Sequence, residues 1–266
     1  MKKKPTKWWG TFHFEERQQL YWELGPLLLG IKRLSHEWHV ANDTQKNDLE
    51  NSSLKIASET SPTFTKETSR HNRYFFHKTE PSLHLIPTLA DRSQVSRAET
   101  PFYLPVDEHV TIYVSSPVWV RIEVGDKRLM LDEIPSLRLS DTWYGPNTRE
   151  GELCYSSPTF CRTSLAELPF RPHRVISPII IQNHSKQPLL IEQLSLPLPF
   201  LSIYADMNGN LWTEEILVKN EPHHKNTIRQ GKGAPSIVPS AALVNHARLH
   251  LKAHNFMTLF YSLLTD

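Results

Sequence analysis

The sequence predicts a mainly β protein of antiparallel sandwich or barrel modules, closed by a short C-terminal helix. Three observations carry this. Apolar and polar residues alternate over many short runs, the signature of half-buried strands. The runs are bounded by turn formers and are rich in rings, with 20 Pro against 9 Gly and 7 Trp, 8 Tyr and 11 Phe. Helical spacing is persuasive in one place only, where Phe256, Met257, Phe260, Leu263 and Leu264 form a stripe behind a capping Asn255.

At 266 residues the chain can bury a core without disulfides. Two modules are expected, residues 1–104 and 105–266, linked through Pro101-Phe102-Tyr103-Leu104-Pro105. Lys plus Arg number 30 against 28 Asp plus Glu, a net charge of +2, and only Lys2 to Lys7 are clustered. A nucleic-acid partner would call for a concentrated basic stripe, so none is expected. Pro5, Lys7, Gly10, His13 and Glu15 interrupt any apolar run after the opening lysines, which argues against a secretory signal. The most apolar segments, Gly25 to Ile31 and Ile176 to Ile181, fall far short of the ~20 residues of a membrane span. A soluble, cytoplasmic protein is expected. Cys154 and Cys161, the only cysteines, do not have zinc-site spacing, and in a reducing compartment they read as free thiols.

In the first module Trp8, Gly10, Phe12 and Phe14 alternate, then Leu20, Trp22 and Leu24. After the Gly25-Pro26 turn come Leu27, Leu29 and Ile31, then Trp38 and Val40. This predicts a four-stranded antiparallel meander with its Trp residues in the core, since each is in phase with Leu, Phe or Val. From Ala41 to Asn72 periodicity stops and Asn, Asp, Ser, Thr, Lys and Glu dominate. Residues 42–72 are therefore expected to be a flexible insertion.

The second module has the strongest alternation, through Val110, Ile112 and Val114, then Val118, Val120, Ile122 and Val124 beyond Ser115-Ser116-Pro117. Ile179 and Ile181 follow, then Leu189, Ile191, Leu194 and Leu196. Asn208-Gly209 predicts a type I′ hairpin between Ile203–Ala205 and Leu211–Trp212. In the returning strand Glu214 shares a face with Trp212, Ile216 and Val218, which predicts a half-buried acid.

Chemistry concentrates between Leu137 and Tyr155. Leu137, Leu139, Asp141 and Trp143 alternate, so a strand here points Asp141 inward, where it needs a partner; Arg149, beyond the Gly145-Pro146-Asn147 turn, is the expected one. Asp141, Trp143, Tyr144, Asn147, Arg149 and Glu152 are the candidate binding residues. Asp141, Glu152 and His173 are the candidate acid/base set of a hydrolase, by the logic of carboxylate pairs. Cys154 with His173 offers a nucleophile, although a strand cysteine more often packs in a core. His246, His250 and His254 are spaced by four, but as a strand such residues stand ~13 Å apart, and no carboxylate or thiolate completes a site. No metal or cofactor is expected. Glycine-rich phosphate loops and a Gly-x-Ser-x-Gly elbow do not occur.

The run Leu139-Ser140-Asp141-Thr142-Trp143-Tyr144-Gly145-Pro146-Asn147-Thr148-Arg149-Glu150-Gly151-Glu152-Leu153-Cys154-Tyr155 resembles a family of uncharacterised bacterial and archaeal proteins, domain of unknown function 432. Tyr113 to Val120 upstream and Leu196-Pro197-Leu198-Pro199 downstream share in the likeness, which spans most of Phe102 to Leu217. The resemblance implies a prokaryotic cytosolic β protein and brings no activity, cofactor or catalytic residue with it. A non-enzymatic binding, scaffold or regulatory protein with a protein partner is the expected function. The hydrolase centred on Asp141, Glu152 and His173 is the alternative.

Overall fold

A computed structural model describes residues 7–44, 51–58, 69–145, 147, 149–222 and 225–250. The strands are β1 (Gly10–His13), β2 (Gln19–Leu24), β3 (Leu27–Arg33), β4 (Glu37–Thr44), β5 (Leu54–Ala57), β6 (Arg70–Phe75) and β7 (Ser82–Thr88). Then come β8 (Gln94–Leu104), β9 (His109–Pro117), β10 (Trp119–Val124), β11 (Leu129–Pro135), β12 (Asp141–Tyr144) and β13 (Glu152–Ser156). The last are β14 (Arg174–Asn183), β15 (Leu189–Leu196), β16 (Ile203–Ala205), β17 (Leu211–Trp212), β18 (Ile216–Glu221), β19 (Lys225–Gln230) and β20 (Ala242–Asn245). The described residues contain no α-helix, only short 3-10 turns such as Leu165–Glu167 and Leu198–Phe200, so the fold is mainly β as expected. No described helix is long and apolar enough to cross a membrane.

The chain forms two compact units. The first takes in the described residues of Met1–Thr88, Pro117–Arg138 and Arg171–His173; the second takes in those of Leu89–Ser116, Leu139–Phe170 and Arg174–Asp266. Residues 1–104 and residues 105–266 thus each contribute to both units.

The first unit has a four-stranded sheet, β1-β7-β10-β11, and a five-stranded one, β5-β2-β3-β4-β6. The alternating apolar residues Trp22, Leu24, Leu27, Leu29, Ile31, Trp38 and Val40 are all buried. Phe14, just beyond β1, meets Trp38 edge-on at 5.2 Å and stacks on Trp22 at 6.5 Å. Such ring pairs add to the area they bury. The Arg33 guanidinium donates to Phe14 O and Thr79 O, tying the two connections together.

Two expectations are corrected here. The meander is β2-β3-β4, whereas β1 pairs with β7, from Gly10↔Leu85 to His13↔Ser82. Alternation reports which residues face a core, and it cannot tell a neighbour in the chain from a neighbour in the sheet. The segment 42–72 is not structureless: Asn42–Thr44 extends β4, Arg70–Asn72 opens β6, and β5 pairs with β2 from Leu24↔Leu54 to Tyr21↔Ala57. Leu54 and Ile56 are only half-buried, so this edge strand rests on backbone pairing and a 3.1 Å Lys55–Glu23 ion pair rather than on a periodic apolar face. Residues 45–50 and 59–68 lie outside the described residues.

The second unit has a four-stranded sheet, β12-β13-β8-β15, and a larger one, β19-β18-β14-β17-β16-β20, with β9 also on β14. Most pairings are antiparallel, but β14 runs parallel to β17 and β18, and β13 parallel to β8. Val175, Ile176, Ile179 and Ile181 of β14 are all buried, which accounts for their near-continuous apolar run. β16 and β17 form the expected hairpin, with Ala205↔Leu211 as the closing pair. Its turn is not type I′: Gly209 has φ 83°, while Asn208 is not among the residues of positive φ. Asp206 organises the five-residue loop instead, accepting from the amides of Asn208 and Asn210 at 2.8 and 2.9 Å. An Asx side chain can cap a wider loop in this way. Glu214 is only 4% exposed and accepts from Ser202 N at 2.7 Å and Tyr204 Oη at 3.3 Å. The C-terminal helix expected at 255–264, and His254, lie outside the described residues.

Candidate functional site

β12 and β13 form an antiparallel hairpin in the register Asp141↔Tyr155, Thr142↔Cys154, Trp143↔Leu153 and Tyr144↔Glu152. Residues directly opposite share a face, and faces alternate along each strand. Asp141, Trp143, Leu153 and Tyr155 are therefore on one side, and Thr142, Tyr144, Glu152 and Cys154 on the other. Burial agrees: Tyr144 and Cys154 are 4% and 0% exposed and pack with Val95, whereas Trp143 and Leu153 are 49% and 46% exposed.

The expected inward Asp141 is corrected by this register. Leu137 and Leu139 precede the strand, which begins at Asp141, and the residue turned inward is Tyr144. The Asp141 side chain is 61% exposed, and its ion-pair partner, at 3.2 Å, is Arg92 rather than Arg149. The Arg92 guanidinium also lies 5.4 Å from the centre of the Tyr155 ring, directly across the hairpin from Asp141. Tyr155 Oη donates to Asp91 at 2.9 Å; burial first, and then Asp91, push the phenol up to about 12. The ion pair, the cation–π contact and the phenol hydrogen bond together fix the base of the hairpin.

The tip is fixed by its own side chains. Asn147 Oδ1 accepts from the amides of Arg149 and Glu150, both at 2.9 Å, and Asn147 O accepts from Trp143 Nε1 at 2.9 Å. The indole also lies against Gly151, where a Cβ would come within 2.8 Å of Nε1. Arg149 itself is exposed.

The three acid/base candidates are not disposed as a hydrolase requires. Asp141 and Glu152 point to opposite faces of the hairpin, so they cannot flank one scissile bond. Glu152 is half-buried and accepts a long bond, 3.4 Å, from Ser195 Oγ. His173 is fully buried in the first unit, packed on Gly25, and its carbonyl accepts from Val118 N at 3.0 Å and Ser136 Oγ at 3.1 Å. The thiols are free and buried. Burial first, and then Glu152, push Cys154 up to about 12; burial pushes Cys161 up to about 11. Cys154 is 0% exposed and its burial disfavours the thiolate, the reverse of what a nucleophile needs. His246 and His250 follow β20 in irregular chain, and the described residues contain no cluster of three metal-ligating side chains.

Sequence reasoning missed two parts of the second unit. One is Arg174, 2% exposed, whose guanidinium donates to Ser115 Oγ, Ser115 O and Thr159 Oγ1 at 2.7 to 2.9 Å. Its place in a basic stretch of sequence, close to Arg171 and His173, gave no hint of burial. The other is a cleft of about 710 Å³ at the turn between β8 and β9, lined by Phe102, Leu104, Val106, Glu108, Val110 and Thr163 among others. The alternation of Val110, Ile112 and Val114 after this turn was legible, but Gln94–Leu104 before it is a strand where a linker through Pro101–Pro105 was expected.

Neither a curated protein nor a solved structure matches the chain. A family match covers nearly all of it: over residues 8–263 the chain belongs to the family described as Protein of unknown function (DUF432).

Proposed function

We infer that the chain is a non-enzymatic binding protein, with a scaffold or regulatory role, and that the hairpin of β12 and β13 is its recognition element for a protein partner. The observation that carries this is the cross-strand pair Trp143 and Leu153, about half exposed on a hairpin braced at its tip by Asn147 and at its base by Arg92. A large ring held in the open loses little conformational entropy on binding, and aromatic anchors of this kind dominate interface energetics. Asp141, Asn147 and Arg149 supply a polar rim around it, while Tyr144 and Glu152 support the hairpin from its inner face. Two free thiols suit a reducing compartment such as the prokaryotic cytoplasm.

The test is to replace Trp143 with the photo-crosslinker benzoylphenylalanine in the native host, with the same replacement at exposed Leu129 as control. The expected result is a discrete crosslinked protein from position 143 only, lost when Leu153→Ser is added. No adduct, or equal adducts from both positions, would remove the hairpin as the recognition element.

A further inference from the structure

The hairpin of β12 and β13 turns one row of backbone groups outward, and two hydrogen bonds identify the row. Ser156 N donates to Ser140 O at 2.9 Å, one step before the pair Asp141↔Tyr155, so Ser140 and Ser156 form a hydrogen-bonded pair. In an antiparallel ladder such pairs recur at every second residue. Thr142↔Cys154 and Tyr144↔Glu152 are therefore bonded as well, while Asp141 and Trp143 point their N–H and C=O away from β13. The facing strand agrees, since Tyr155 N turns from β12 and donates to Ser93 O at 2.8 Å.

β12 ends the sheet β12-β13-β8-β15, and no described strand lies beyond it. Its edge is also unguarded. Native edges are usually blunted by bulges, prolines or positive charge. Thus β11 is bulged against β10 and ends in Pro135, β15 and β20 shift register against their partners, and β6 carries Arg70 and Arg73. β12 pairs with β13 in unbroken register over all its residues and contains no proline, lysine or arginine. Asp141 and Trp143, whose backbone faces outward, also have exposed side chains.

We propose that the protein partner of this hairpin docks by adding an extended segment of its own, antiparallel, to the free edge of β12. The inference rests on the hairpin being the recognition element and goes further by naming what it recognises, a partner's main chain. Two partner residues, spaced i and i+2, exchange N–H···O bonds with Asp141 and Trp143. The one opposite Trp143 lies beside the Trp143–Leu153 pair and is apolar. The one opposite Asp141 is Lys or Arg, because that carboxylate is 61% exposed and gives Oδ1 to Arg92. Backbone pairing supplies the affinity of such docking and the side chains its specificity.

The experiment compares two variants at one position, in the full chain carrying benzoylphenylalanine at 143 in the native host. Asp141→Ala removes the carboxylate and keeps the outward N–H; Asp141→Pro removes both and none of the bonds to β13. Asp141→Ala should reduce the adduct no more than about fivefold, as befits an exposed charge contact. Asp141→Pro should reduce it at least about tenfold further, because a partner carbonyl is left unpaired. A second measurement needs no proline: in the purified adduct, the amides of residues 141 and 143 should gain protection from hydrogen exchange, while those of Thr142 and Tyr144 are slow with or without the partner. An adduct that survives Asp141→Pro as well as Asp141→Ala, or one whose 141 and 143 amides still exchange freely, overturns the added strand and leaves the hairpin as a recognition element. No adduct, or equal adducts from 143 and Leu129, removes the hairpin and this inference with it. An adduct of twice the chain's mass also overturns it, because β12 would then pair with a second copy.

Discussion

The His173 imidazole lies so close over Gly25 that a Cβ on Gly25 would sit 2.2 Å from Nδ1. Gly25 also has φ 55°, in the two-residue loop between β2 and β3. Both the strained backbone and the collision penalise a side chain there. Gly25→Ala should therefore lose at least ~2 kcal/mol of stability. His173→Ala should also destabilise, by opening a cavity, and the double variant should lose less than the sum of the two. Denaturant melts of the three variants test this. Additive losses would mean that the contact is not what limits the site.

Asp141→Asn is expected to be nearly silent. Its pair with Arg92 is exposed on both sides, 61% and 37%, and exposed pairs are worth under about 1 kcal/mol. A loss of ~3 kcal/mol or more in the same melts would restore the buried carboxylate that the sequence pattern suggested.

Glu37 gives an acid-range prediction. Hydrogen bonds from Arg73 at 2.7 and 2.8 Å, and then from His39 at 2.7 Å, hold its carboxyl at about 2 against an ordinary 4.5. The folded state prefers the ionised form, so the stability it contributes is complete above pH 4.5 and disappears as pH falls through about 2. The wild-type advantage over Glu37→Gln should shrink across this window and stay level above it. An advantage independent of pH would assign the effect to packing.

For the thiols the sign is opposite. Cys154 and Cys161 ionise near 12 and 11 in the folded chain against an ordinary 9.0, so unfolding is favoured progressively as pH rises above 9.0. At pH 8 a thiol reagent should label neither cysteine in the native protein and both after denaturation. Fast native labelling would contradict their burial.

How far the sequence was legible depended on how local the signal was. Trp22, Trp38, Val120 and Ile181 are buried as their alternation predicted, because a side chain's face is set by its immediate neighbours. Glu214 was found in the same way. The pairing of β1 with β7 was not, since a partner about seventy residues away leaves no periodic trace. The candidate site failed on a single register. Once the strand begins at Asp141, every side chain of Asp141–Tyr144 takes the face opposite to the expected one, and Arg92, remote in sequence, replaces Arg149 as the partner.

The interleaving of the two units has a consequence for synthesis. The chain passes from one to the other at 88/89, 116/117, 138/139, 170/171 and 173/174. A ribosome making this protein cannot release a finished first unit before Arg171–His173 emerges, by which time much of the second unit is already waiting, incomplete. At about 5 to 20 residues per second, β2, β3 and β4 wait several seconds or more for β10 and β11. Exposed strand edges are hazardous during such an interval, and the long-range pairings that end it are intrinsically slow to form. The same path means that no single cut in the gene separates the two units.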